Sequence, residues 1–173
     1  MPSKTRSQQA KASRSKGKRG ERKLGLRLKK WWGADFHRTP ASGGLRWGER
    51  HEVRGDLVCE DTFFPFVIEE KNREAWELEL FLTGKGPIFT WWKQVWRDSI
   101  EIHRIPLLFI DKNYSPGYVI FKPRLLKGLM KEAKPKHYMV TTSADTGMLY
   151  LVERELFLNM VSVERCQEVG LYV

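Results

Sequence analysis

Asp56, Glu69 and Lys71 stand within the stretch RGDLVCEDTFFPFVIEEKN, residues 54–72. Two short apolar runs in it, Leu57 with Val58 and Phe66 with Val67 and Ile68, belong in a core, yet ionisable residues are set among them. Side chains alternate across a strand, so Phe66, Ile68 and Glu70 share one face while Val67, Glu69 and Lys71 share the other. A turn near residues 61–63 folds the two runs into a hairpin. Asp56 then lies opposite Ile68 or Glu69, and cross-strand neighbours are about 5 Å apart at Cβ. Two carboxylates meeting on a rigid hairpin form an oxygen-ligand site suited to Mg²⁺, with the backbone carbonyl of Glu70 as a further ligand. A metal-bound water is a nucleophile for a phosphodiester. Lys71 would orient that water and hold negative charge in place. The same spacing also fits a structural acid–lysine pair on a solvated sheet edge, and spacing alone leaves both open.

The elements that must position these groups follow from periodicity and punctuation. Residues 1–16 contain no core-forming residue after Met1 and read as a disordered basic tail. From Gly17 the pattern turns helical, with Leu24, Leu28, Trp31 and Trp32 at helical spacing and Gly33 as a stop. ADFHRTP is a short extended piece ended by Pro40, and ASGGLRWGERHEV is a long polar loop of the kind that often carries function. After the hairpin, NREAWELELFLTGKG is ambiguous connecting sequence. Pro87 fits a helical first turn, and the following run places apolar residues at 88, 92, 95 and 102. IPLLFID and GYVIFK read as strands, Pro123 opens a short helix to about Glu132, and HYMVTTS and MLYLVE form a further strand pair. RELFLNMV fits helix or strand. The pattern predicts an α/β fold with a central mixed β-sheet flanked by helices. It is expected to form one domain over residues 17–173, with a catalytic core at 17–111 and a C-terminal extension at 112–173.

Composition narrows the partners. The 173 residues carry a net charge of +10. Residues 1–20 hold seven basic residues and no acid, and the rest carry 24 basic against 21 acidic residues. That asymmetry points to a polyanion, nucleic acid first, with a solubilising or localising tail as the alternative. The longest apolar runs are too short for a membrane span, and no apolar signal core follows the basic start, so the chain is expected to be cytoplasmic and not secreted. Cys59 and Cys166 have no CxxC spacing and read as free thiols. The four histidines have no metal-binding spacing. TGKGP lacks the rest of a P-loop, so no nucleotide cofactor is expected. Trp91, Trp92 and Trp96 fit helix-to-sheet packing. Trp47, beside Arg46 and Arg50, could instead stack on an opened base, with His51 as a further DNA contact.

RGDLV followed by FVIEEKN resembles the motif of the PD-(D/E)XK nuclease superfamily, with Gly55 where a proline is common. GKRGERKLGLRLKKWWGADFHRTPASGG ahead of it is similar to the archaeal-type Holliday junction resolvases. The resemblance covers about residues 17–111. It implies a restriction-endonuclease-like nuclease core, usually a symmetric homodimer. It implies that Glu21 joins Asp56 and Glu69 as a metal-site acid, with Asp56, Glu69 and Lys71 as the catalytic core. Ser42 and Arg38 would work near the scissile phosphate, Gln94 would lie near the active site, and Arg22 would handle the DNA backbone. Lys18 and Arg19 from the basic start are expected to hold DNA as well. The expected activity is Mg²⁺-dependent cleavage of DNA (with Mn²⁺ able to substitute), directed at four-way junctions in recombination or repair. A restriction- or repair-type nuclease acting on other DNA, a non-catalytic DNA-binding module and an RNA-processing nuclease are the alternatives.

Overall fold

The computed structural model describes residues 5–39, 53–72, 77–113, 115–132 and 135–170. Helix α1 (Arg6–Trp32) leads into β1 (Phe36–Arg38), β2 (Leu57–Cys59) and β3 (Phe66–Asn72). Helices α2 (Leu78–Leu82) and α3 (Pro87–Glu101) precede β4 (Ile105–Asp111) and β5 (Tyr118–Phe121). A 3-10 turn (Pro123–Leu126), β6 (Met139–Ser143), β7 (Gly147–Glu153), α4 (Arg154–Met160) and α5 (Val163–Gly170) complete the order. The seven strands form one mixed sheet in the order β1-β2-β3-β4-β5-β7-β6. Strands β3 and β4 run parallel, and the other pairs are antiparallel. A parallel pair needs a long crossover, and α2 and α3 supply it. The strands after residue 111 extend the same sheet.

Each face of the sheet has its own core. Leu24, Leu28 and Trp32 recur every four residues on α1 and are buried with Leu57, Phe64, Phe66, Ile68, Leu107 and Phe109. Residues of α4 and α5, among them Phe157 and Cys166, close the same face. On the opposite face Ile88, Trp92 and Val95 of α3 pack with Val67, Leu108, Ile110 and Ile120. Each such side chain contributes about 1.5–3 kcal/mol through burial. Trp91 and Trp96 pack partly buried against this second core, as their spacing implies. Pro87 occupies the first turn of α3. Cys59 and Cys166 are free and buried, and burial pushes both thiols up to about 12. No helix among the described residues is long and apolar enough to cross a membrane.

Two expectations need correction. Helix α1 begins at Arg6, so residues 6–16 form about three helical turns where disorder was expected. Thr5 and Gln8 close a capping box that composition alone had hidden. The segment after Pro123 is a 3-10 turn ending at Leu126, not a helix to Glu132, and Gly128 beyond it takes a left-handed φ of 91°. Helix α5 was not anticipated. RELFLNMV resolves as helix α4.

Strand β2 is shorter than the apolar pattern suggests because Gly55 turns the chain with φ 84°. A Cβ at Gly55 would lie 2.5 Å from the carbonyl oxygen of Ile68, a backbone atom that cannot step aside. Gly55→Ala is therefore expected to cost on the order of 2–4 kcal/mol in denaturant melts, from left-handed strain plus the clash.

Candidate active site

Register sets the first contact. Leu57 pairs with Ile68, so Asp56 stands across from Glu69. The Asp56 amide donates to the Ile68 carbonyl at 2.7 Å, and the Glu70 amide donates back to Asp56 Oδ2 at 2.8 Å. The Asp56 carboxylate is thus held by the backbone of β3. Glu69 and Lys71 project together from the α3 face, where the Lys71 ammonium pairs with Glu69 Oε1. Gln94 of α3 donates to that same oxygen at 2.8 Å. Gln94 lies two residues after the buried Trp92, and its reach depends on α3 packing over β3. Glu69 itself is 1% exposed.

A second group approaches from the other elements. Glu21 of α1 is ion-paired with Arg38 of β1, both partly buried. The charges of Lys71, Glu21 and Arg38 all act on Asp56, which places Asp56 between the Glu69–Lys71–Gln94 group and the Glu21–Arg38 pair. Arg22, Lys18 and Arg19 are exposed on α1 around Glu21. Ser42, Arg46, Trp47, Arg50 and His51 lie outside the described residues.

Glu70 departs from the group. Its carboxylate turns to the opposite face and is buried beneath α1, with no hydrogen-bond partner for Oε1 among the described residues. A Cβ on Gly20 would meet that oxygen at 2.5 Å. Gly20 therefore sits where α1 crosses closest to β3. The expected metal role of Glu70 is limited to its backbone carbonyl, because the side chain faces away from Glu69.

The sequence reading missed a neighbour of this cluster. Asp111 ends the apolar run of β4 as Glu69 ends that of β3, and it pairs in register with Asn72. Arg154 of α4 binds Asp111 Oδ1 at 2.5 Å while 9% exposed. The rule that picked out Glu69, an acid closing a buried strand, would also have picked out Asp111. No sequence signal marked Arg154.

Burial and mutual repulsion govern the acids. Burial raises the Asp56 pKa, against the lowering effect of the Glu70 amide and Lys71. Glu69 is pushed up to about 7 by burial and then by the charge of Asp56. Glu70 rises to about 8 through burial, then Asp111, Asp56 and Glu21. The cluster thus carries more carboxylate than its cations balance.

That surplus fits a divalent cation. The donors are carboxylate oxygens without sulfur or imidazole, the set that hard ions such as Mg²⁺ and Mn²⁺ prefer. Among the described residues, no group of three or more acids, histidines or cysteines is placed to hold a metal ion. Glu21 is held by Arg38, and Glu69 by Lys71 and Gln94. Asp56 and Glu69 meet across the hairpin, and Glu21 lies close enough for its charge to act on Asp56. A divalent ion, when bound, activates water and offsets charge on a phosphate. The chain's own groups can do the rest: Lys71 can place a proton donor beside Glu69, Gln94 can fix the Glu69 rotamer, and Arg38 can meet a phosphate once released from Glu21.

A mixed sheet with an Asp–Glu–Lys group where β2 meets the end of β3 fits the PD-(D/E)XK superfamily. The family described as "Phage putative PDDEXK endonuclease" matches residues 12–158, and the chain belongs to that family. It is also similar to "Protein D14" of Escherichia phage T5, with 27% identity over 106 residues. That match takes in 58% of this chain and 65% of the phage T5 protein. No solved structure matches the chain. The family carries the nuclease assignment, and the restriction-endonuclease-like α/β fold agrees with it.

Proposed function

We propose that the protein is a structure-selective endodeoxyribonuclease that resolves four-way (Holliday) junctions by hydrolysing phosphodiester bonds with Mg²⁺, Mn²⁺ being able to substitute. The observation that carries the reading is the register of β2 on β3. It sets Asp56 across from Glu69, with Lys71 and Gln94 on the same Glu69 oxygen. In this reading Glu21, Asp56 and Glu69 position the metal, helped by the backbone carbonyl of Glu70. Lys71 assists the attacking water, and Gln94 fixes Glu69. Arg22, Arg38, Lys18 and Arg19 contact the DNA together with Arg46, Arg50 and His51 of the polar loop, Trp47 stacks on an opened base, and Ser42 works near the scissile phosphate. Backbone contacts of this kind carry little sequence information, so the enzyme reads branched shape. A junction has approximate two-fold symmetry, and a homodimer would bring two sites to opposing strands. The setting that fits is recombination or repair in the cytoplasm of a prokaryotic or phage-infected cell.

Incision of a four-way junction, a flap and a linear duplex of matched sequence tests the substrate. Junction cleavage is expected to exceed linear duplex cleavage by at least about a hundredfold, the scale at which geometry separates bound substrates. Equal cutting of linear duplex would make the protein a nuclease of another substrate class. Light scattering that shows only monomer on a bound junction would remove the paired-incision part.

A further inference from the structure

Helix α1 has two halves with different surroundings. From Gly20 onward it is packed: Gly20, Leu24, Gly25, Leu28 and Trp32 are buried against β1, β2 and β3. Before Gly20 none of the described side chains is buried, and Ser7, Gln8, Lys11, Ser15, Lys18 and Arg19 are exposed. Residues 6–19 are therefore an arm that runs on past the sheet from the point where Gly20 meets Glu70. At 1.5 Å per residue the arm extends about 20 Å, the length of roughly six base pairs of duplex at 3.4 Å each.

The composition of the arm selects its occupant. Residues 6–19 carry Arg6, Lys11, Arg14, Lys16, Lys18 and Arg19, with no acid and no large apolar residue. Without an apolar stripe, it suits neither a hydrophobic groove nor a membrane interface. It is also poorly stabilised alone. Its helical form rests on the Thr5 cap and on continuity with the packed half of α1, and Gly17 weakens it. Lys18 lies four residues before Arg22, and Arg19 four before Lys23, spacings at which like charges repel. A row of phosphates relieves all of that repulsion.

We propose that residues 6–19 form a helical arm that lies along the phosphate backbone of the duplex held at the active site and is stabilised as a helix by that contact. This rests on the nuclease reading above and adds to it a rigid reach along one arm of the substrate. The fold fixes the arm's exit point beside Glu21, so the contact begins next to the cut phosphate and runs outward.

Two variants separate helix from charge. K11Q/R14Q/K16Q removes three cations, and Ser15→Pro breaks the helix while keeping every charge. Binding to a four-way junction with arms of about 15 base pairs, longer than the arm's reach, is measured in EDTA across a salt series, with circular dichroism of free and bound protein. Helicity of the wild type is expected to rise on binding. The triple variant should lose about tenfold or more in affinity, and its plot of log K against log salt should flatten by about three, near 0.9 per lost phosphate contact. Ser15→Pro should bind several-fold more weakly and show no gain in helicity. Unchanged affinity and salt slope in the triple variant overturns the contact. Wild-type binding by Ser15→Pro, with no helicity gain in either protein, overturns the helical arm in favour of a flexible tail. If the wild type cuts the junction with Mg²⁺ while both variants bind normally, the arm fails and the nuclease reading stands. If the wild type neither binds nor cuts DNA, both fail.

Discussion

Asp56→Asn is expected to abolish DNA incision, by at least about a thousandfold, while leaving DNA affinity within a few-fold of wild type. Losses of that size follow when a group that stabilises charge or holds a catalytic ion is removed. The structure separates this effect from unfolding. Asp56 Oδ2 accepts the Glu70 amide at 2.8 Å, and an asparagine carbonyl can accept the same bond. Burial and the neighbouring Glu21 charge both work to raise the Asp56 pKa, so removing its charge relieves the metal-free fold. The melting temperature of Asp56→Asn should therefore match or slightly exceed that of wild type in EDTA. A variant that fails to cut because it has unfolded would show a lower one. Thermal melts beside gel-based incision and binding assays read all three quantities.

The metal-free protein is expected to lose stability as pH rises from about 5 to 8.5, by a few kcal/mol, mostly through Glu70. Glu70 in the fold titrates at about 8 against an ordinary value of 4.5. Between those values the folded state binds more protons than the unfolded state, so each step up in pH favours unfolding. The contribution is complete below pH 4.5 and is lost as pH passes through 8. Glu69, raised to about 7, acts in the same direction over a narrower window. Glu70→Gln removes the larger of the two without touching the backbone carbonyl of residue 70. Urea unfolding in EDTA at pH 5 and pH 8.5 should give a clear difference for wild type and a much smaller one for Glu70→Gln. Equal slopes in the two proteins would mean that the Glu70 carboxyl is solvated in solution.

Much of this arrangement was legible in residues 54–72. A period of two sorted Phe66 and Ile68 from Glu69 and Lys71, and the two sides of the sheet keep that division. The hairpin reading placed Asp56 to within one residue, because a buried apolar pair, Leu57 on Ile68, fixes the register. Helix α3 was marked by Pro87 and by apolar residues four and seven apart. Gln94 is expected near the site through the family resemblance alone, since nothing local distinguishes it from a surface glutamine. What the sequence hid were effects between distant segments. The burial of Glu70 depends on how closely α1 crosses at Gly20, and the Arg154–Asp111 pair joins residues 43 apart. Residues 6–16 read as disordered because composition measures the lack of a core face, whereas the cap at Thr5 and continuity with the packed half of α1 act on the backbone.

On the proposed function, DNA is cut at the end of β3, where Lys71 meets Glu69. Lys71→Ala is the variant that bears on this, because among the described residues Lys71 is the cation paired with the Glu69 carboxylate. Incision of a four-way junction by wild type and Lys71→Ala should be measured with Mg²⁺ and with EDTA, alongside binding of the same DNA in EDTA. The expected result is Mg²⁺-dependent incision by wild type, a loss of at least about a hundredfold in Lys71→Ala, and comparable binding by both. Undiminished incision by Lys71→Ala would contradict the claim and place the chemistry elsewhere on the chain.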